Sequence, residues 1–204
     1  MGGAFRVESL RDLETKWERA SRWYDFAVVP LELFIFRRLR SRLLRSAVGR
    51  VLEVAAGTGA NLKHYPVGID IVSVDLSPSM LARARSHGAS KAAVMDAGRL
   101  AFRDGSFDTV VSTLATCTFP DPVEALREMR RVCRPGGRIL LLEHGRSTRS
   151  GVAAWQDRRA AKHAAYLGCW WNREPLDNVR RAGLEPQTTT RTFLGMVHVI
   201  QAII

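Results

Sequence analysis

A short apolar run, Val51-Leu52-Glu53-Val54, breaks into Ala55-Ala56-Gly57-Thr58-Gly59, and a second run, Ile71-Val72-Ser73-Val74, ends on Asp75. That succession predicts a strand entering a tight glycine turn that opens a helix, beside a second strand whose last residue is a carboxylate. It is the layout of a nucleotide-cofactor crevice. Small residues let the backbone approach a ligand, the helix N-terminus offers N–H donors, and the carboxylate can accept both ribose hydroxyls. A dinucleotide fingerprint read from Gly57 requires Gly or Ala three positions after Gly59, where helix and strand pack closely, but Leu62 stands there. A different nucleotide-bearing cofactor is therefore expected.

Further motifs follow in order. Val72-Ser73-Val74-Asp75-Leu76-Ser77-Pro78-Ser79-Met80-Leu81 reads as the second strand and its helix, and Met95-Asp96-Ala97 precedes Leu100-Ala101-Phe102. Ser106-Phe107-Asp108-Thr109-Val110-Val111 reads as a fourth strand, and Val132-Cys133-Arg134-Pro135-Gly136-Gly137-Arg138 as the turn before a fifth. Taken together over residues 50–143, these motifs resemble those of class I S-adenosylmethionine-dependent methyltransferases. The chain is most similar to the branch holding ubiquinone/menaquinone C-methyltransferases, bacterial phosphatidylethanolamine N-methyltransferases and membrane-associated alkyl thiol methyltransferases. Thr113-Leu114 with Cys117, Glu143-His144, and Gly168-Cys169 with Arg173-Glu174 lean towards the last of these.

The resemblance implies S-adenosylmethionine as cofactor and S-adenosylhomocysteine as product. Its cofactor-binding set maps onto Glu53, Ala55, Gly57, Gly59, Asp75, Leu76, Met80, Asp96, Ala97 and Thr113. Asp75 is expected to accept the ribose diol and Asp96 the adenine amino group. Glu53 either holds the methionine ammonium through water or braces the glycine turn. One departure stands out: Ala55 occupies the position of the family's first glycine, and its methyl is expected to narrow the space beside the methionine moiety.

Methyl transfer from a sulfonium needs alignment, exclusion of water and, for some acceptors, removal of a proton, so few catalytic residues are required. On the acceptor side, His144 is the candidate general base, with a structural or solvated histidine as the alternative. Cys117 is expected near the methyl, more as packing than as a nucleophile. Tyr24, within Trp23-Tyr24-Asp25, matches a Tyr-Asp pair in the N-terminal segment of quinone and phospholipid methyltransferases, where that segment closes over the cofactor. Trp171 of the Trp170-Trp171 pair is placed in the substrate pocket, or in an interfacial belt.

Strands expected near 50–55, 70–75, 91–95, 108–112 and 138–143 alternate with helices near 59–63, 78–87 and 122–133, which requires a mostly parallel sheet covered on both faces. Helices over 151–167 and 175–182 and β-rich runs at 187–193 and 196–203, hinged at Gly195, complete a seven-stranded Rossmann-like α/β fold with an antiparallel C-terminal hairpin. Residues 1–48 are expected to form a helical lid or membrane-facing segment, and residues 49–204 the methyltransferase domain. Within the lid, Leu33, Phe36, Leu39 and Leu43 recur at helical spacing beside Arg37, Arg38, Arg40, Arg42 and Arg45, so this helix either docks on the domain or lies in a membrane interface.

The 204 residues, 46% hydrophobic, suit one folded domain. Three cysteines, Cys117, Cys133 and Cys169, form an odd set without metal-ligand spacing, so neither a disulfide framework nor a metal is expected. With no spanning segment and no secretory signal, the reading is cytoplasmic, peripheral on the inner face of the membrane. A net charge of +11 draws in polyanions: an anionic membrane surface is the expected partner, a solvated basic face the alternative, and nucleic acid is disfavoured. The expected substrate is a small hydrophobic or lipid-like acceptor such as a thiol, an aminophospholipid or a quinone precursor, because no part of the chain remains for a macromolecule-recognition domain. Alternatives are an RNA or protein methyltransferase using the basic surface, or a non-catalytic cofactor-binding module. Ser112-Thr113-Leu114-Ala115-Thr116 lacks the Asn/Asp-Pro-Pro-aromatic cluster of base amino-methylating enzymes. The sequence carries no signal for an oligomeric state.

Overall fold

A computed structural model describes residues 9–19 and 36–204. Tyr24 and most of the stretch between the first helix and the arginine-rich one fall outside the described residues. Residues 10–19 form a helical run, and after it come α1 (Arg37–Leu44), β1 (Arg50–Val54), β2 (Asp70–Asp75), α2 (Pro78–Ser86), β3 (Lys91–Val94) and β4 (Phe107–Thr113). The chain continues through α3 (Pro122–Val132), β5 (Cys133–His144), α4 (Ser150–Leu167), α5 (Pro175–Arg181), β6 (Pro186–Thr192) and β7 (Val197–Ile203). The seven strands form one sheet in the order β3-β2-β1-β4-β5-β7-β6. All neighbours are parallel except β7, which is antiparallel to both β5 and β6.

Period-two alternation places side chains on two faces. On one, Leu52, Val54, Val110, Ile139 and Leu141 pack with Leu126 and Met129 of α3 and Val179 of α5. On the other, Val51, Val111, Leu140 and Leu142 meet Leu43 and Leu44 of α1. The helix starts obey local chemistry. Ser77 Oγ accepts the Met80 N–H at 3.2 Å, and Asp121 accepts those of Val123 and Glu124, each cap followed by proline at the first helical position.

Two expectations need correction. No α-helix follows the glycine turn; a single 3₁₀ turn, Leu62–His64, takes its place. Pro66 forces Tyr65 into extended backbone (ψ 153°), and Gly68 (φ 82°) turns the chain straight into β2, so no room for an α-helix remains. Strand five starts earlier than its apolar core suggests: Cys133 pairs with Phe107, residues 134–137 bulge out, and pairing resumes between Arg138 and Thr109. Pro135-Gly136-Gly137 is thus a bulge within β5 rather than a turn ahead of it. Among the described residues no helix is long and apolar enough to cross a membrane.

Candidate active site at the carboxyl edge of the sheet

Strand order reverses between β1 and β4, where open α/β sheets leave a crevice beyond the strands' carboxyl ends. Register places Ala55, Asp75 and Thr113 level with one another, each one residue beyond the paired set Val54, Val74 and Ser112. All three line a cleft that is open to solvent.

The glycine turn shapes the floor. At Gly57 (φ 57°) an added Cβ would meet no protein atom within 4 Å, so a side chain there would project into open space. Gly59 serves packing instead, since a Cβ would lie 2.9 Å from Leu62 and 3.2 Å from the Ala84 backbone. Gly59 accordingly is not a wall residue. Asp75 receives the Gly57 N–H on Oδ2 at 2.8 Å and the Ser77 N–H on Oδ1 at 2.9 Å. Burial raises the Asp75 pKa, and these backbone donors oppose that rise. Each oxygen keeps a lone pair for a ligand hydroxyl. Leu76, Met80, Met95 and Ala97 line the same side, as does Asp96, whose Oδ1 accepts the Gly98 N–H at 2.9 Å.

Beneath the turn lies a buried polar network. Glu53 accepts from Asn61 Nδ2 at 2.8 Å and from the Tyr65 hydroxyl at 3.2 Å. Asn61 Oδ1 and Thr113 Oγ1 each accept from the Arg40 guanidinium at 2.6 Å. Burial pushes Glu53 up to about 7 despite these donors and the charge of Arg40. Glu53 therefore sits under the turn that Asn61 belongs to, while Arg40, Asn61 and Thr113 reach the cleft wall. Sequence reading missed Arg40 and Asn61, having grouped Arg40 with the solvent-facing arginines of α1. The signal was present: Arg40 stands four residues after Phe36 and three and four before Leu43 and Leu44, on the buried stripe of its helix, and is only 5% exposed.

The far wall is apolar. It comes from Leu114, Ala115, Phe119 and Pro120 after β4 and from Leu10, Leu13 and Trp17 of the N-terminal helical run. That run is tied to both sides of the cleft, because Lys16 Nζ donates to Ala164 O at the end of α4 at 3.2 Å, and Glu18 receives Ser77 Oγ and the Ser79 N–H at the start of α2.

Three acceptor-side candidates, Cys117, His144 and Trp171, lie outside the lining of the cleft. His144 Nε2 is 3.4 Å from Cys169 Sγ, which is 3.3 Å from Cys117 Sγ, and none of the three lines the cleft. Trp171 stacks on His163 (centroids 4.1 Å) and touches Trp155 (4.8 Å), its indole N–H bonded to Gln156 O. This places it in an aromatic layer on α4, not in the cleft. Glu143, on the opposite face of β5 from His144, accepts the N–H groups of Ala115 and Thr116 at 3.0 and 3.1 Å, and burial pushes it up to about 7.

A methyltransferase-domain family profile matches residues 52–141. Phosphatidylethanolamine N-methyltransferase of Cereibacter sphaeroides is 35% identical over 142 residues, spanning 65% of this chain and 70% of that protein. Demethylmenaquinone methyltransferase of Beutenbergia cavernae is 37% identical over 139 residues and human thiol S-methyltransferase 35% over 146; in each case the match spans 65% of this chain but only 58% of the relative. Among solved structures, geranyl diphosphate C-methyltransferase of Streptomyces coelicolor, in complex with S-adenosylhomocysteine, superposes with a TM-score of 0.73 at 14% identity, covering 99% of each chain. A Thermotoga maritima S-adenosylmethionine-dependent methyltransferase gives the same score at 23% identity, covering 93% of this chain and 98% of that one. The cradle fits that cofactor: open space over Gly57, a buried carboxylate with spare acceptor capacity at Asp75, and a second at Asp96. The chain belongs to the class I S-adenosylmethionine-dependent methyltransferases.

Proposed function

We propose that the acceptor is a small hydrophobic or lipid-like molecule, a thiol, an aminophospholipid or a quinone precursor. The observation that carries this is the division of the cleft. The titratable groups among its described wall residues, Arg40, Asp75 and Asp96, all lie on or beside the cofactor cradle, and the acceptor-side wall is largely apolar, built from Leu10, Leu13, Trp17, Leu114, Ala115, Phe119 and Pro120 with Thr118, whose hydroxyl donates to Ala115 O. An apolar acceptor gains from such a wall by leaving water, at about 25 cal/mol per Å² buried.

S-Adenosylmethionine supplies a methyl group on a sulfonium, an excellent leaving group. The chain's residues then hold and align. Asp75 holds the ribose hydroxyls, Asp96 the adenine edge, and the Glu53–Asn61–Arg40 network keeps the turn rigid, with Arg40 and Asn61 turned towards the methionine end. Leu13 and Trp17 cover the cleft and exclude water, positioning the acceptor for in-line attack. Residues 10–19 act as a lid, latched at Glu18 to α2 and at Lys16 to α4.

The same reading places the protein at an anionic membrane. Arg37, Arg38, Arg42 and Arg45 are exposed on one face of α1 while Leu43 and Leu44 are buried, so the helix docks on the sheet and still offers four cations outward. An acceptor dissolved in the bilayer would then be delivered close to the lid. The names of the phospholipid, menaquinone and thiol methyltransferase relatives support this acceptor class. The test is incubation with methyl-labelled cofactor and separate thiol, aminophospholipid and quinol pools, with the labelled product identified by mass spectrometry. RNA and protein pools are run alongside, and label confined to either of these would reject the proposal.

A further inference from the structure

Topology brings Cys117, His144 and Cys169 together from a loop, a strand end and a helix end far apart in sequence. His144 is the last residue of β5, on the α1 face, and Cys117 lies in the loop beyond β4. Gly168 takes the left-handed conformation (φ 69°) that ends α4, which sets Cys169 immediately after the helix. The Trp170 N–H then donates to Cys117 O at 2.9 Å, fastening one cysteine-bearing loop to the other. The buried Arg173 guanidinium donates to Thr116 O at 2.8 Å and Phe119 O at 2.7 Å, holding the Cys117 loop from both sides.

We propose that Cys117, His144 and Cys169 form a binding site for a thiophilic divalent cation, zinc in the first instance. Their ligand atoms all lie within 4.8 Å of one another, with Sγ–Sγ 3.3 Å and Sγ–Nε2 3.4 Å. A tetrahedral zinc with Zn–S about 2.3 Å and Zn–N about 2.0 Å sets two sulfurs roughly 3.8 Å apart and sulfur and nitrogen roughly 3.5 Å apart. The Cys169–His144 edge already matches, the Sγ–Sγ edge needs to open by about half an ångström, and the Cys117–His144 edge, within 4.8 Å, closes onto the ion by side-chain rotation. Two thiolates neutralise the ion and the imidazole adds a neutral donor, a ligand set that suits zinc and leaves a fourth position for water or an exogenous ligand. A disulfide fits less well, since the sulfurs would have to close to about 2.05 Å and His144 would have no part in it. Bound there, the ion would clamp the Leu114–Phe119 wall to β5 and to the loop after α4, whichever acceptor the enzyme takes.

The test uses the full chain. Reduced protein is loaded with Zn²⁺ or Co²⁺ and desalted, metal and protein are quantified, and the cobalt form is examined for thiolate-to-cobalt charge-transfer absorption in the near ultraviolet. The expected result is about one ion per chain, with the charge-transfer band present. Cys117→Ser, Cys169→Ser and His144→Ala should lose the ion. Cys133→Ser should keep it, because that thiol faces Arg138 O within β5 instead. Should a ligand variant not fold, the wild-type cobalt spectrum still decides, because only thiolate ligation produces the band. Failure to retain metal, cobalt bound without the band, or equal retention in Cys117→Ser and Cys169→Ser would each overturn the proposal. So would mass spectrometry of air-exposed protein showing a Cys117–Cys169 disulfide that blocks neither loading nor removal of the metal.

Discussion

The cofactor cradle and the acceptor-side wall differ in how far apart in the chain their parts lie. Ala55, Gly57, Asp75, Asp96 and Ala97 come from consecutive strand–turn units, and their geometry is set largely by backbone: the Gly57 and Ser77 N–H groups position the Asp75 carboxylate, proposed above to hold the ribose. The acceptor wall draws on Leu13 and Trp17, on Leu114 and Phe119, and on support from β5 and the end of α4. A site built from adjacent units tolerates changes elsewhere in the molecule and fails through its own few atoms. A wall assembled from distant segments depends on every contact that holds those segments together.

The largest effect is expected where the cradle relies on single groups. Asp75→Ala removes charged hydrogen bonds worth about 1.5–3 kcal/mol, so S-adenosylmethionine affinity measured by calorimetry should fall about tenfold to a hundredfold in a protein that still folds. Gly57→Val should do at least as much, because its side chain enters the space a ligand needs and its φ of 57° is strained for a β-branched residue. Unchanged affinity in Asp75→Ala would remove the cradle from the cofactor site. Leu13→Ala is the counterpart across the cleft: acceptor KM should rise with cofactor affinity nearly unchanged.

Glu53 separates the turn's support from its ligand surface through pH. Burial raises its folded pKa from 4.5 to about 7, so the native state holds its proton more tightly than the unfolded chain does. Below the unfolded value both states are protonated and the contribution is fully present. As pH rises through 7 the contribution is lost, on the order of 3 kcal/mol in all. Glu53→Gln should therefore flatten the stability profile between pH 4.5 and 7, gaining on the wild type as pH rises, as read by urea denaturation at stepped pH. Parallel profiles would mean that Glu53 is not the buried acid this geometry makes it.

The arginines of α1 sharpen the contrast within one helix. Arg40→Met removes the donor to Asn61 Oδ1 and Thr113 Oγ1 beside a buried glutamate, and should cost about 2 kcal/mol of stability. Arg38→Gln, on the exposed face, should stay within about 0.5 kcal/mol. In co-sedimentation with anionic liposomes the ranking reverses. Replacing Arg38, Arg42 and Arg45 by Gln should weaken binding by about 1 kcal/mol per residue, and salt should weaken it in the wild type. Wild-type protein remaining in the supernatant at low salt would reduce α1 to a docking helix.

These residues also show what a sequence can carry. The run from Val51 to Asp75 was legible because its signals are local: apolar strands, small residues at the turn, a carboxylate at a strand end. The helix expected at 59–63 was misread because a glycine turn in such a fold ordinarily opens a helix, while the extended backbone imposed by Pro66 and the reversal at Gly68 act from the far side. Arg40 was hidden by composition, one buried arginine among five in a basic helix. Trp171 was assigned from its pairing with Trp170, yet its partners His163 and Trp155 lie a turn or more back on α4. Cys117, His144 and Cys169 carry no mutual spacing signal, since only the parallel crossovers and the left-handed Gly168 bring them together.

The smallest effect tests the one departure in the cradle. Ala55 has φ 55° and Leu114, across the crevice, φ 57°, so two side-chain-bearing residues hold left-handed backbone at the cleft's edge. That conformation costs a non-glycine residue roughly 1–2 kcal/mol. Ala55→Gly relieves the strain but adds conformational freedom to the unfolded chain, which costs about 0.4–1 kcal/mol, so a net stabilisation of up to about 1.5 kcal/mol is expected. Removing the methyl also widens the space beside the methionine end of the cofactor, and affinity should hold or rise a few-fold. Thermal melts and calorimetry on the same preparation check both halves. Stability lost together with affinity would mean that the Ala55 methyl is a packing element of the wall, in contact with the core that Leu52 and Val54 build, and that this enzyme's cradle is shaped around the alanine instead of strained by it.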